Sequence, residues 1–169
     1  GIIGFGRIGQ ETAKIALGIG MHVLFTDKFV GKTQINLNLA NDKKISFDLE
    51  SSDMTELLKN SDFISLHVPA QKSYVIGKNE FNLMKTGAGL INAARGGVVD
   101  EKSLIESLDS GKLAFAGVDT FENEPKPSVK LLMHPKVSLT PHIGAATNEA
   151  QDRIGTVSYT HLTLPTSYP

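Results

Sequence analysis

The stretch that decides the fold is Gly4-Phe5-Gly6-Arg7-Ile8-Gly9. It follows the apolar pair Ile2-Ile3 and opens a run with helical spacing. Glycines spaced this way say little alone, but between a strand and a helix they form a phosphate-binding turn. Gly4 permits the tight turn, Gly6 lets a pyrophosphate approach the backbone, and Gly9 lets the helix pack close to the sheet. The N-terminus of that helix offers free N–H groups and the positive end of its dipole. Asp27 ends the next apolar stretch, eighteen residues after Gly9. A carboxylate there can accept both hydroxyls of a ribose and repels a 2′-phosphate, which favours NAD over NADP.

Outward from this turn, strand and helix patterns alternate. Residues 7–19 read as a helix with Ile8, Ile15, Ala16 and Ile19 on its apolar face and Gly20 as its stop. Residues 21–26 read as a buried strand, whereas 28–50 are poorly periodic. A capped helix starts at Asp53 and ends near Asn60. Strands follow over 62–68, 88–93, 113–118 and 137–140, with helices near 79–85, from Asp100 to Asp109, and over 146–154. This alternation predicts an α/β fold with a doubly wound parallel sheet, a Rossmann-type NAD-binding domain.

Composition narrows the class. The chain has 169 residues, 40% hydrophobic and 21% charged, enough for one domain with a real core. A formal net charge of −1 argues against nucleic acid or an anionic membrane as partner. With no cysteine there are no disulfides, cysteine zinc sites or thiol nucleophiles, which suits a reducing cytoplasm. The apolar runs are too short to span a membrane. The chain opens inside a strand without a Met, and from Val157 onward it carries no Lys, Arg, Asp or Glu. The expected organisation is therefore an NAD-binding domain over 1–156 with its first strand shortened, followed by a non-native tail over 157–169. That tail is similar to a translated sequencing adapter.

A second constellation falls at the carboxyl ends of the later strands, where open α/β sheets bind ligands. His67-Val68-Pro69 follows one strand and Asn92-Ala93-Ala94-Arg95-Gly96-Gly97 another. Asp119 and Glu124 follow a third, and Pro141-His142-Ile143-Gly144 the last. Arg95 can grip a carboxylate with two parallel hydrogen bonds. His142 can exchange a proton near neutral pH, and Glu124 can orient its imidazole. Singly, each reads as an ordinary surface or loop residue. Together, beside a dinucleotide turn, they read as a site.

The motifs GFGRIGQ, HVP, INAARGGVVDE, AGVDTFENEP and TPHIGAATNEAQDRIG together resemble the D-2-hydroxyacid dehydrogenases, in particular the D-3-phosphoglycerate dehydrogenase branch. The resemblance covers about 1–156 and weakens over 28–50. It implies an NAD domain inserted in a substrate domain that lies outside this chain, and a homo-oligomer at full length. It implies Arg95 on the substrate carboxylate and carbonyl, His142 as general acid/base, and Glu124 as its partner. It implies cofactor contacts at Arg7, Ile8, Asp27, Val68, Ala93, Ala94, Asp119 and Gly144, with no metal, and leaves His67 to shape the loop. The substrate it implies is a small 2-hydroxy or 2-keto acid, with 3-phosphoglycerate in serine biosynthesis first. Hydroxypyruvate and glyoxylate reductases share the motifs. So do NAD-sensing corepressors, a binding class that retains the same three residues. Formate dehydrogenases place Gln where Glu124 stands.

Overall fold

The computed structural model describes residues 1–152. In chain order the elements are β1 (Ile2–Ile3), α1 (Arg7–Gly18), β2 (Phe25–Thr26), β3 (Lys32–Asn38), β4 (Lys44–Glu50), α2 (Met54–Asn60), β5 (Phe63–Leu66), α3 (Lys78–Leu83), β6 (Ala88–Asn92), α4 (Glu101–Asp109), β7 (Leu113–Val118), α5 (Val129–Leu132) and β8 (Val137–Leu139). Six strands form a parallel sheet in the order β2-β1-β5-β6-β7-β8. The order reverses beside β1, so the crevice for a ligand opens at the carboxyl ends of β1 and β5.

Adjacent residues of a strand face opposite ways, and Ile2 and Ile3 divide the core accordingly. Ile3 joins the larger cluster, where Leu57, Phe81, Leu104 and Leu131 bring α2, α3, α4 and α5 onto Ile64, Leu90 and Ala116. Ile2 joins the smaller one with Phe5, Ala13, Phe25 and Ile35, which brings α1 and β3 onto the other face. Phe5 and Phe25 stack with ring centroids 3.8 Å apart. Beyond α1 that second face carries Phe63, Ile91 and Phe115, each about two-fifths exposed. Phe63 and Phe115 both pair with Gly89. A side chain at Gly89 would strike the Phe115 ring.

The alternation and the doubly wound sheet agree with the sequence reading, and three local expectations need correction. First, α1 presents the opposite side to the sheet. Gly9 and Ala13 are its buried residues, whereas Ile8, Ile15 and Ile19 are 70%, 67% and 73% exposed. A helix approaches a sheet most closely where its side chains are small, and a side chain at Gly9 would collide with the Gly4 carbonyl. Second, the strand expected over 21–26 is regular only at Phe25–Thr26. Third, 28–50 contains an antiparallel hairpin of β3 and β4, turned at Asn41 and Asp42 with positive φ. One hairpin face pairs Thr33 with Leu49, Ile35 with Phe47 and Leu37 with Ile45; the other pairs Lys32 with Glu50 and Gln34 with Asp48. Beyond its end, Ser51 bridges Phe25 in parallel at the sheet edge. The short α5 was not foreseen. The break expected at Val157, and the tail after it, lie outside the described residues.

Two helix starts are as read. Asp53 accepts from the Thr55 N–H at the head of α2. Asp100 accepts from the Lys102 and Ser103 N–H groups at the head of α4. Such caps satisfy helix donors that have no partner inside the helix.

The reassigned faces give a stability test. Ile35 is buried against α1, so Ile35→Ala should cost about 2–4 kcal/mol of unfolding free energy. Ile15→Ala should change it by less than about 0.5 kcal/mol. Urea denaturation of both variants decides between the two faces of α1; the reverse ranking would restore the sequence reading.

Candidate functional site

Gly4 sits at φ 91°, a conformation that favours glycine, and a side chain there would strike the His67 carbonyl and the Val68 side chain. The two loops are therefore pressed together, which brings Val68 beside the glycine turn. Gly6 has open space over its α-carbon and no side chain caps α1. Arg7 and Ile8 are exposed at the same end. An open backbone and an uncapped twelve-residue helix form a surface that fits a pyrophosphate.

Asp27 ends β2, and its carboxylate is already well engaged. Oδ2 accepts from the Phe5 N–H at 2.6 Å, and Oδ1 from Phe29 and Val30 at 2.8 and 3.0 Å. Burial alone would raise its pKa, but these N–H groups outweigh it and hold the carboxyl below the ordinary aspartate value. A carboxylate has about four lone-pair sites, so Oδ2 keeps one for a ribose hydroxyl, not the two that the sequence reading gave it. The residues present thus fit NAD at both the pyrophosphate and the ribose.

The later strands converge on a second group. Asp119, at the end of β7, accepts from Thr140 Oγ1 at 2.5 Å, Ile143 N–H at 2.9 Å and Gly144 N–H at 3.1 Å. These bonds fix the loop on which His142 stands at φ 56°. His142 Nδ1 donates to both Glu124 oxygens, at 2.9 Å to Oε2 and 3.1 Å to Oε1. Glu124 Oε1 also accepts from the Phe121 N–H at 2.9 Å. The His142 bond and the Phe121 N–H together hold the Glu124 carboxyl below the ordinary glutamate value. With Nδ1 engaged, His142 Nε2 is the ring nitrogen left for a reacting group.

Glu124 and His142 thus meet, as do Asp119 and Gly144. Arg95 stands apart from the pair: its Nη1 donates to the Ala94 carbonyl at 2.6 Å. Its loop is nonetheless tied to theirs. Asn92 Nδ2 donates to the Arg95 carbonyl at 3.2 Å, and a side chain at Gly96 would strike the Phe121 carbonyl. Ala93 is exposed and Ala94 buried on that loop. His67 is half-buried, its Nε2 3.0 Å from Ser65 Oγ, and burial lowers its pKa. Thr140, which anchors Asp119, was not foreseen. The signal available was a hydroxyl residue ending the strand next to Asp119. An apolar hollow of about 470 Å³ adjoins the pair, lined by Phe121, Pro125, Leu132, Leu139 and Pro141. Among the described residues no group of His, Cys, Asp and Glu could hold a metal ion, and no helix is long and apolar enough to cross a membrane.

Comparison with known proteins converges on one class. The profile described as D-isomer specific 2-hydroxyacid dehydrogenase, NAD binding domain, matches residues 1–144. The chain belongs to this family. It is 44% identical over 160 residues to a hydroxypyruvate reductase of Thermotoga maritima, covering 92% of this chain and 48% of the relative. It is 41% identical over 159 residues to a D-3-phosphoglycerate dehydrogenase of Methanocaldococcus jannaschii, covering 93% and 29%. The structure of a D-lactate dehydrogenase with NAD+ from Lactobacillus jensenii superposes with a TM-score of 0.75 at 33% identity, covering 94% of this chain and 49% of that one. The chain therefore spans about half or less of the relatives it matches.

The pairing of Glu124 with His142 has a pH consequence. A carboxyl whose folded pKa is lowered contributes stability above its unfolded pKa, and loses it as pH falls through the folded value. Carboxyl NMR titration should place the Glu124 midpoint below that of an unpaired glutamate. His142→Ala should move it part of the way back, because the Phe121 N–H remains. An unmoved midpoint would show that the imidazole does not act on Glu124.

Proposed function

We propose that this domain binds NAD and supplies the acid/base and carboxylate-gripping residues of a D-2-hydroxyacid dehydrogenase. The observation that carries this is the His142–Glu124 pair, held on the same sheet edge as a dinucleotide turn with Asp27 at its ribose position. Bound NAD supplies the hydride acceptor and, when reduced, the donor. For oxidation, neutral His142 takes the hydroxyl proton on Nε2 while Glu124 orients the ring and stabilises its charged form. For reduction, protonated His142 returns that proton to the developing alkoxide. Arg95 swings from the Ala94 carbonyl to the substrate, where its planar fork aligns the carboxylate and polarises the carbonyl.

For the substrate we propose 3-phosphoglycerate and its keto acid, in a cytoplasmic step of serine biosynthesis. Support comes from the quoted motifs and from the D-3-phosphoglycerate dehydrogenase relative. The hydroxypyruvate reductase relative favours a second reading, reduction of hydroxypyruvate, to which the shared motifs add glyoxylate. The remaining half of the enzyme supplies the rest of the substrate site in either case, and full-length copies associate with one another.

NADH consumption by the full-length enzyme with each keto acid separates the readings. Phosphohydroxypyruvate should give the highest kcat/KM; a preference for hydroxypyruvate or glyoxylate would select the second, and no turnover with any would leave a binding module. His142→Ala should lower kcat by roughly 10²–10⁴-fold. Asp27→Ala should weaken NAD binding roughly ten- to hundredfold and narrow its advantage over NADP. Equal affinity of the parent for both cofactors would refute the role of Asp27.

A further inference from the structure

Two glutamates outside the proposed trio are bonded to one another's backbone. Glu101, the first residue of α4, donates its N–H to Glu122 Oε1 at 2.9 Å. Glu122 donates its N–H to Glu101 Oε1 at 2.8 Å. The two residues lie 21 positions apart, Glu101 at the head of α4 and Glu122 in the turn after β7. Glu101 is buried, 7% exposed, where a carboxylate is costly without partners. Burial, first, and then the charge of Glu122 push the Glu101 carboxyl up, against the Glu122 N–H.

The location explains why such a pair is tolerated. Glu122 satisfies a helix N–H that the Asp100 cap leaves open, since Asp100 serves Lys102 and Ser103. Negative charge is favoured at a helix N-terminus. The location also connects the proposed machinery. Residues 95–100 run from Arg95 into α4, with Val98 accepting from the Val75 and Ile76 N–H groups behind them. Residues 119–124 run from Asp119 to Glu124. Gly96 lies against the Phe121 carbonyl, and Phe121 donates to Glu124. The reciprocal bonds thus fasten the turn that carries Glu124 to the loop that carries Arg95.

We propose that Glu101 and Glu122 are positioning residues: their reciprocal clamp sets Glu124, and through it His142, at a fixed spacing from Arg95. This rests on the functional reading above. Neither glutamate is bonded to Arg95, Glu124 or His142. The clamp is what ties the 119–124 turn to the head of α4, whereas the Gly96 contact and the bond from the Asp119 N–H to the Asn92 carbonyl tie it to the loop after β6; without the clamp Glu124 approaches the imidazole less rigidly.

The test compares Glu101→Ala, which removes the acceptor, with Glu101→Gln, whose amide oxygen can still accept from the Glu122 N–H. Carboxyl NMR titration of the chain should show the Glu124 midpoint rising in the Ala variant and restored in the Gln variant. In the full-length enzyme the Ala variant should lose kcat on the order of ten- to a hundredfold, with KM for NAD unchanged and Gln rescuing the loss. Glu122→Ala leaves the buried Glu101 in place and should give the same shift, so it serves if Glu101→Ala does not fold. An unmoved Glu124 midpoint in the folded Ala variants, or a Gln variant as impaired as Ala, overturns the clamp. The titration needs no turnover. A shifted midpoint with an inactive parent therefore faults the functional reading alone, and an active parent with no shift faults the clamp alone.

Discussion

The carboxylate of Asp119 is the constraint on which the carboxyl edge of the sheet depends. His142 stands at φ 56°, where a residue with a β-carbon costs on the order of 1–3 kcal/mol unless its surroundings over-determine it. The surroundings do so through one side chain, which takes a hydroxyl before the strained residue and two N–H groups after it. Burial works against the charged form, but the Thr140, Ile143 and Gly144 donors prevail and keep the Asp119 carboxyl below its ordinary value. Its hold on the loop is therefore complete at neutral pH and fades only as acid takes the pH through that lowered value.

The same device recurs along the edge. Asp27 gathers the glycine turn and its own following loop, Asp119 gathers the 140–144 loop, and Glu124 gathers Phe121 and His142. Strands of a parallel sheet end with carbonyls and side chains facing the ligand crevice, and the loops beyond them have few backbone partners of their own. A short carboxylate at the last strand position supplies several acceptors at once. The residues proposed for function and the residues that order the loops are consequently interleaved, and in Asp27 and Asp119 they coincide.

What could be read in the sequence was whatever a residue type settles locally. Gly4 and Gly9 were legible because no other residue fits the backbone geometry or the helix contact, and Asp53 and Asp100 because a cap is a local bond. The face of α1 was not, because Ile8, Ile15 and Ile19 have helical spacing of their own while the sheet selects the small side at Gly9 and Ala13. The hairpin carried a legible signal in the two-residue alternation of Ile35 and Leu37 with Ile45, Phe47 and Leu49. Its flanking Lys, Asn and Asp residues diluted that signal. Nothing local marks Glu101 or Glu122, whose bond exists only after β6, α4 and β7 are in register.

The state of the proposed acid/base pair follows from its exposure. His142 and Glu124 are 43% and 38% exposed, so solvent screens their attraction. Coulomb attraction varies inversely with the effective dielectric, so moving such a pair from water toward a site of effective dielectric near 20 strengthens it about fourfold. In this domain the hydrogen bonds therefore fix direction more than strength: Nδ1 is committed to Glu124, and Nε2 makes no hydrogen bond among the described residues. Strength comes when water is excluded, and the ring must already be aligned when that happens, since reorientation in a closed site would break the bonds that hold it. In the proposed function, a domain that orients these groups in the open and leaves desolvation to whatever covers them keeps the pair reversible, and the bonds of Asp119 and of the Phe121 N–H already give that alignment within this domain.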